Sequence, residues 1–341
     1  MRPKRSAKTK ALKLGEAGIL RRLEAAARRG AGKGSLFLGP VDDAALWRPS
    51  PGHQAVLTCD WFLEGTHFLR DKHAPDCVGW KCLARALSDI AAMGGVPRCF
   101  LLSLALPTSH TGRWLDQFLA GVTRASRRFA CPLAGGDTTR QRQILISITV
   151  VGELRSGQAV LRSGARPGDV LFSSGRLGEA ELGLRLFRQR RGQMSHGESL
   201  LRKHLYPEPR LTLGQWLAQK RIASAMMDLS DGLSTDLARL CAASRVGARV
   251  LPDRLPAVRI PTCLNFARAD ALDFALHGGD DYELLFTVPP AKVRLIPASF
   301  HGVPLTRIGE ITRGKTIVLR DAAGRERPLP ARGWDPFRQG G

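Results

Sequence analysis

Five short segments of this chain place an aspartate within three residues of glycine, serine or threonine in strongly apolar sequence. These aspartates are Asp42, Asp60, Asp89, Asp137 and Asp228. A single aspartate of this kind is ordinarily explained as a helix cap or a turn residue. Five are harder to explain in that way, because an unpaired carboxylate in apolar surroundings costs several kcal/mol of desolvation. The sequence therefore predicts a fold that gathers these carboxylates around cations.

Ligand chemistry decides which cation the aspartates suit. Zinc and copper prefer cysteine and histidine, but the seven cysteines include no C-x-x-C pair, and no histidines lie at zinc spacing. Oxygen ligands alone suit magnesium or calcium, and the chain has no EF-hand spacing. Magnesium usually combines one or two carboxylates with substrate phosphates, so several aspartates indicate several ions that hold a polyphosphate. The sequence therefore favours a nucleotide substrate and phosphoryl transfer.

Two further features suit phosphate binding. The glycine pair Gly135-Gly136, directly before Asp137, would let backbone N–H groups approach phosphate oxygens. Arg162, in the segment LRSGARPGD, offers a fork-shaped guanidinium for the same anions. A glycine pair alone is a weak signal, and the neighbouring carboxylate adds weight to it.

Composition limits the class of protein. The 341 residues are enough for two domains, and the longest apolar runs are far too short to cross a bilayer. The basic N-terminus has no apolar signal region, so we expect a disordered tail there and a cytoplasmic protein with cysteines as small core residues. Although the formal net charge is +22, the arginines are spread along the chain without a nucleic-acid-binding motif. We interpret most of this charge as solvated surface and do not favour nucleic acid as a partner, apart from a contact through the tail.

Apolar periodicity predicts alternating helices and strands. Helices are expected over residues 15–29, 77–95 and 113–129. Strands are expected at the start of 54–68, over 99–107 and over 143–154. A second unit, with a strand, a glycine turn and a helix, is expected over 170–187. We therefore place a domain boundary between Glu153 and Pro167.

One motif points to a different nucleotide site. The segment GEITRGKT, residues 309–316, matches the P-loop pattern G-x-x-x-x-G-K-[ST] in full. A working P-loop lies between a strand and a helix, because the phosphates bind at the helix N-terminus. Here β-branched residues and an Asp-Ala-Ala-Gly turn follow, which indicates a hairpin. We interpret the match as accidental.

The order of the motifs resembles that of the thiamine-monophosphate kinase family, within the aminoimidazole-ribonucleotide-synthetase-like superfamily. The motifs are VDDAAL, TCDWFLEGTHF, GWKCLARALSDIAAMGG, LAGGDTT, RSGARPGD, DLSDGL, GGDDYELLF and GWDPF, from about Gly15 to Phe337. The resemblance implies a two-domain α/β or α+β fold in which the N-terminal sheet forms a barrel across a homodimer. It also implies ATP-dependent phosphorylation of thiamine monophosphate to thiamine diphosphate, with several Mg²⁺ ions. The expected parts are a basic tail (1–14), an N-terminal domain that binds ATP and magnesium and forms the dimer (15–155), a C-terminal α/β domain (156–337) and a short tail (338–341).

The resemblance also implies roles for individual residues, which we carry over position by position. The magnesium ligands would be Asp42, Thr58, Asp60, Asp89, Asp137, Asp228 and Asp231, with Asp89 serving more than one ion. The ATP contacts would be Gly136, Asp137, Arg162 and Ser230. The contacts with thiamine monophosphate would be His67, Asp280 and Trp334. The alternative for His67 is a histidine packed in the core without a substrate role. We interpret Asp236 as a solvated or helix-pairing residue. Asp281, Tyr282 and Glu283 match the rest of the motif that contains Asp280. Their alternative explanation is a turn that enters a strand.

The chain departs from the family pattern at Val41, Cys59, Ala86 and Asp280, the last being one methylene shorter than the usual glutamate. We expect these changes to affect binding more than the reaction itself. Two alternatives stay open. A sister enzyme, such as selenophosphate synthetase or the hydrogenase-maturation dehydratase, would share the ATP site. The former normally carries a cysteine or selenocysteine beside an N-terminal glycine-rich loop, and the latter carries a C-terminal cysteine. This chain has no cysteine at either place. A basic nucleic-acid-binding protein with reduced catalysis would tolerate loss of the aspartates.

Overall fold

The computed structural model of the protein describes residues 15–30, 36–38, 44–189, 198–264 and 266–337. Both predicted tails and the predicted ligand Asp42, together with Val41, lie outside these residues. The chain divides into two compact units. The first comprises Met1–Arg48, Cys59–Leu83 and Cys99–Thr149, and the second comprises Pro49–Thr58, Ala84–Arg98 and Val150–Gly341. The predicted domain bounds, which cut the chain once, remain a prediction beside this interleaved division.

The N-terminal half alternates helices and strands as its periodicity predicts. The elements are α1 (Glu16–Gly30), β1 (Leu36–Leu38), β2 (Leu46–Trp47), β3 (His53–Leu63), α2 (Pro75–Ala92), β4 (Val96–Leu106), α3 (Arg113–Arg128), β5 (Leu133–Arg140) and β6 (Leu145–Arg155). α2 ends before Gly94, whose φ of +75° no other residue type adopts as easily. The three predicted N-terminal helices and the three predicted strands are confirmed.

The N-terminal half of the chain forms a four-stranded sheet with the order β3-β6-β4-β5. β4 and β5 are parallel and are joined through α3, which buries an apolar stripe that includes Leu115, Phe118 and Val122. Along β4, buried Phe100 and Leu102 alternate with more exposed side chains. The less buried positions leave large apolar residues in solvent, since Trp61 of β3 is 57% exposed and Leu101 of β4 is 37% exposed.

The C-terminal part of the chain forms a larger mixed sheet. Its elements are β7 (Val170–Ser174), α4 (Glu179–Gln189), α5 (Glu198–Leu205), α6 (Leu211–Gln219), β8 (Ala225–Leu229), α7 (Leu233–Ser244), β9 (Gly247–Val250), α8 (Arg268–His277), β10 (Glu283–Val288), β11 (Ser299–Phe300), β12 (Val303–Thr312), β13 (Ile317–Arg320) and β14 (Glu326–Pro328). The strand order is β14-β13-β9-β12-β7-β10-β8, with β11 beside β12. β13 runs parallel to β9, whereas β10 runs antiparallel to both β7 and β8.

Strands β7, β8 and β10 are buried along their whole length. Layers on both faces of a sheet produce such continuous burial, and it explains why these strands are apolar runs rather than alternating ones. Leu229, Leu285 and Leu240 lie in the core on this sheet. Polar side chains at the ends of β8 and β10 therefore extend from buried, well-packed strands.

The P-loop match is not followed by a helix. Residues 313–316 connect β12 to β13, which lie on either side of β9. β13 then pairs with β14 across the Asp321 turn, so the predicted hairpin is confirmed. Lys315 is exposed and precedes a strand, so the dipole and N–H groups of a helix N-terminus are missing there.

All seven cysteines are thiols. Five of them are buried, as expected for small core residues, but Cys59 and Cys263 are exposed, so the interpretation is wrong for these two. Cys59 lies on β3, at the edge of the four-stranded sheet, where its Sγ lies 3.4 Å from Ser147 Oγ. No helix in the described part of the chain is long and apolar enough to cross a membrane.

Replacing Lys315 tests whether the P-loop match is accidental. We expect Lys315→Ala to keep ATP binding and phosphoryl transfer within a few fold of the parent protein, because an exposed lysine between two strands has no phosphate cradle. Calorimetric titration with ATP and a steady-state assay measure the two quantities. A folded Lys315→Ala protein that no longer binds ATP would contradict the interpretation.

Candidate active site

The DLSDGL segment forms the turn between β8 and α7. Asp228 lies in β8 opposite Leu284 of β10 and is only 3% exposed. The chain then turns through Gly232, whose φ is +105°, and α7 begins at Leu233. A carboxylate in such a buried strand requires polar or cationic partners. The burial of Asp228 fits the apolar surroundings that its sequence predicts.

Three chain segments that are distant in sequence meet at this turn. The backbone N–H of Asp280 donates to Ser230 O at 2.8 Å, and that of Tyr282 donates to Leu229 O at 2.8 Å. The backbone N–H of Trp334 donates to Asp231 O, also at 2.8 Å. The structure therefore brings together four predicted site residues, Ser230, Asp231, Asp280 and Trp334. The indole of Trp334 remains accessible, since this residue is 47% exposed.

The carboxylate of Asp280 has defined polar neighbours. The hydroxyl of Tyr282 donates to Asp280 Oδ1 at 2.7 Å. His204 Nδ1 lies 3.8 Å from Asp280 Oδ2, which is too long for a hydrogen bond but close enough for a charge contact when the ring is protonated. Asp280 and Tyr282 both have positive φ, at +67° and +49°. The turn is thus held in a conformation that residues other than glycine rarely adopt.

Asp236 is not a solvated residue, and that part of its interpretation is wrong. It is fully buried in the first turn of α7, and its Oδ2 accepts the backbone N–H of Asp231 at 3.0 Å. The expected pairing within the helix is present, because Arg239 Nη1 lies 3.0 Å from Asp236 Oδ1. Arg239 also forms an ion pair with Asp231. Burial, and then the neighbouring Asp231 carboxylate, raise the pKa of Asp236 to about 7.

Thr58 and Asp89 form a second polar pair in the second unit. The Thr58 hydroxyl donates to Asp89 Oδ2 at 2.5 Å. Asp89 lies in the last turn of α2, so the alternative explanation as a helix N-cap is wrong. A carboxylate is unfavourable near the negative end of the helix dipole, and this last turn contains no basic residue. Asp89 places a carboxylate oxygen beside the Thr58 hydroxyl at the C-terminal end of α2.

The two predicted phosphate contacts lie in different units. Gly136 is in β5 of the first unit, where a Cβ atom would lie 1.9 Å from Leu102 O of β4. Strand packing therefore requires this glycine, independently of any phosphate. Arg162 is exposed in a single 3₁₀ turn (Arg162–Gly164) of the second unit, and its carbonyl accepts the Ser244 hydroxyl at 2.6 Å.

His67 lies in the loop after β3 in the first unit. Its Nδ1 accepts the backbone N–H of Leu63 at 2.9 Å, which leaves the proton of the neutral ring on Nε2. The ring centroid lies 5.6 Å from that of Phe62. His67 is half-buried rather than a core residue, and this contact fixes which nitrogen acts as a donor.

The donor chemistry of the predicted ligands fits magnesium, because all of them offer oxygen atoms. Their arrangement adds less support. Asp60 on β3 and exposed Asp137 on β5 belong to the first unit, whereas Thr58, Asp89, Asp228 and Asp231 belong to the second. Among the residues that the structure describes, no three His, Cys, Asp or Glu side chains are grouped to hold a metal ion. The magnesium ligand set therefore remains a prediction.

Sequence reasoning missed a fully buried carboxylate and its two cationic partners. Glu283, at the start of β10, is fully buried and forms ion pairs with Lys203 of α5 and Arg210. Its Oε2 also accepts Arg210 Nε and the Ser174 hydroxyl, each at 2.6 Å. An acidic residue in the apolar strand ELLFTV was a usable signal. Nothing local pointed to the basic partners, which are more than 70 residues away in the chain.

Asp281, two residues before Glu283, anchors the turn that precedes β10 to the start of α4. The carboxylate of Asp281 accepts the backbone N–H groups of Gly178 at 2.6 Å and Ala180 at 3.1 Å, at the start of α4. Burial raises the pKa of Asp281 to about 7. Burial would also raise the pKa of Glu283, but the charges of Lys203 and Arg210 outweigh it and lower that pKa from 4.5 to about 2.

Comparison with known families defines the class of protein. Residues 41–154 match the AIR synthase related protein, N-terminal domain, and residues 166–322 match the C-terminal domain of the same group. The fold is thus a two-domain α/β fold of AIR-synthase-related type with mixed sheets. Thiamine-monophosphate kinase of Bacillus subtilis is 33% identical over 297 residues, which cover 84% of this chain and 90% of that protein. The chain belongs to the thiamine-monophosphate kinase family.

Solved structures agree. Thiamine-monophosphate kinase from Stenotrophomonas maltophilia has a TM-score of 0.78 and 39% identity, and the match covers 90% of this chain and 96% of that one. AaThiL complexed with AMPPCP and TMP has a TM-score of 0.74 and 30% identity, over 97% of this chain and 100% of that one. A hydrogenase maturation protein, HypE in complex with ATP, reaches a TM-score of 0.74 at 19% identity, which shows a shared fold alone. The sister-enzyme alternative is therefore not favoured.

Replacing Glu283 tests the buried ion cluster. We expect Glu283→Gln to lower the free energy of unfolding by about 3–5 kcal/mol, because two partly buried cations lose their counter-charge. Chemical denaturation at pH 7 measures this change. The control is Glu181→Gln in α4, which removes an exposed pair with Arg185 and should cost less than about 1 kcal/mol. Equal effects of the two variants would contradict the assignment.

The same cluster predicts a pH dependence. The folded pKa of Glu283 is lower than its unfolded value, so the ionised carboxylate stabilises the fold above pH 4.5, and this contribution is lost as the pH falls towards about 2. The stability of the Glu283→Gln variant should accordingly fall less steeply between these pH values than that of the parent protein.

Proposed function

We propose that this protein transfers a phosphoryl group from ATP to thiamine monophosphate and forms thiamine diphosphate. The observation that carries the proposal is the match to thiamine-monophosphate kinases along nearly the whole chain, including a relative solved with AMPPCP and TMP. The protein would be a transferase that acts in the last step of thiamine diphosphate biosynthesis.

The reaction needs little covalent chemistry from the protein. The acceptor already has an anionic phosphate oxygen as its nucleophile, so no strong general base is required, and we infer direct in-line transfer. Magnesium, when bound, would neutralise the two like-charged phosphates and align them. The task of the side chains is then to hold the reactants in register.

The proposed roles follow the sequence predictions. Magnesium ligands are Asp42, Thr58, Asp60, Asp89, Asp137, Asp228 and Asp231. ATP contacts are Gly136, Asp137, Arg162 and Ser230. Contacts with thiamine monophosphate are His67, Asp280 and Trp334. The convergence of Ser230, Asp231, Asp280 and Trp334 in the second unit supports the shared use of that turn. The 2.5 Å hydrogen bond from Thr58 to Asp89 supports the use of these two side chains as a pair.

We also propose a homodimer in which the N-terminal four-stranded sheets of two subunits form a barrel. The exposed apolar side chains Trp61 and Leu101 support this, because a solvent-facing sheet surface of this kind usually marks an interface. Seven cysteines that are all thiols support a reducing, cytoplasmic location.

The choice of acceptor tests the proposed function. With ATP and magnesium, we expect turnover of thiamine monophosphate and little or none of free thiamine, because the nucleophile is a phosphate oxygen. Chromatography of the products distinguishes thiamine diphosphate from thiamine monophosphate. Equal turnover of both acceptors would rule out the proposed mechanism, and chelation of magnesium provides the background rate.

Asp89 provides a test of the cation site. We expect Asp89→Asn to lower kcat by orders of magnitude, while the magnesium-free protein becomes no less stable, because a carboxylate is removed from the negative end of α2. The amide oxygen can still accept the Thr58 hydroxyl. Thermal melts with and without magnesium and ATP, together with the kinase assay, measure both effects. An active but destabilised Asp89→Asn protein would contradict the metal assignment.

A further inference from the structure

The turn between α8 and β10 stores backbone strain beside a proposed substrate contact. Asp280 and Tyr282 are both left-handed, with φ values of +67° and +49°, although neither is glycine. L-residues avoid this region because the Cβ atom approaches the carbonyl oxygen. Strain of this kind persists only where the surrounding structure holds it, and it is concentrated at functional sites.

Contacts on both sides of the turn hold this conformation. The N–H groups of Asp280 and Tyr282 bind the carbonyls of Ser230 and Leu229, each at 2.8 Å. The next side chains along the chain are anchored as well, Asp281 at the start of α4 and Glu283 in its cluster with Lys203 and Arg210. The backbone of the turn is therefore fixed independently of any bound ligand.

In this left-handed turn, the hydroxyl of Tyr282 reaches the carboxylate of Asp280. Tyr282 is 2% exposed, so its ring is held by packing, and its hydroxyl donates to Asp280 Oδ1 at 2.7 Å. Asp280 itself is partly accessible. A short aspartate side chain reaches few positions, and this hydrogen bond selects among them. The same peptide segment thus supplies both the exposed carboxylate and the buried group that orients it.

We propose that Tyr282 is a positioning residue, which orients the Asp280 carboxylate towards the cationic heterocycle of thiamine monophosphate and so sets the affinity for this acceptor. The inference rests on the proposed function and adds to it the residue that controls the acceptor contact. Tyr282 contacts Asp280 and acts through it. A purely structural tyrosine would satisfy its hydroxyl in the same way but would leave acceptor binding unchanged when that hydroxyl is removed.

The first experiment separates these two roles. Tyr282→Phe keeps the ring and removes the hydroxyl. We expect the KM for thiamine monophosphate to rise roughly three- to thirtyfold, as for loss of one hydrogen bond, while kcat and the KM for ATP stay within about twofold. Calorimetric titration with thiamine monophosphate alone should show the same loss of affinity. The melting temperature should fall by no more than about 4 °C.

The chain offers a matched control, because Tyr206 is the other tyrosine of the sequence. Tyr206→Phe should leave the KM for thiamine monophosphate unchanged. An unchanged KM in folded Tyr282→Phe protein, or an equal rise in both variants, would overturn the inference.

A double-mutant cycle tests whether Tyr282 acts through Asp280. We expect Asp280→Asn to raise the KM for thiamine monophosphate, and we expect Tyr282→Phe to add little in that background, because the group it orients has lost its charge. Effects that multiply fully would overturn the inference. If the parent protein turns over thiamine monophosphate but the cycle is additive, the inference fails alone. If the parent protein does not turn it over at all, the proposed function fails, and the inference fails with it.

Discussion

The buried carboxylate of Glu283 is the interaction on which the geometry of the second unit depends most. It begins β10 at full burial, and the charges of Lys203 and Arg210 compensate for its loss of hydration. Lys203 belongs to α5, and Arg210 directly precedes α6, so one carboxylate fixes the approach of two helices to the central strands. The turn that carries Asp280 leads directly into Glu283 at the start of β10.

Backbone hydrogen bonds, rather than side-chain contacts, bring the predicted site residues of the second unit together. The carbonyls after β8 accept N–H groups from the turn before β10 and from the C-terminal segment at Trp334. Such bonds hardly depend on side-chain identity, so the site keeps its shape when individual ligands are replaced. This makes conservative substitutions at Asp280 and Tyr282 informative about function rather than folding.

The sequence by itself determined the secondary-structure elements of the N-terminal half and the family of the protein. Periodicity located the N-terminal helices and strands, and the same local signals separated the GEITRGKT match from a true P-loop, because a turn and β-branched residues follow it. The order of the acidic motifs led to the family that the comparisons established. These properties depend on residues that are near one another in the chain, and local sequence is sufficient for them.

The tertiary structure alone decided which carboxylates are buried and with what partners. Asp236 is a buried acceptor for the N–H of Asp231, although its helical position looked solvated, and Gly136 is required by the carbonyl of a neighbouring strand. Glu283 obtains its counter-charges from residues that are more than 70 positions away. Desolvation and charge pairing depend on distances in space between residues. Local sequence does not contain these distances, because the folding of the sheet sets them.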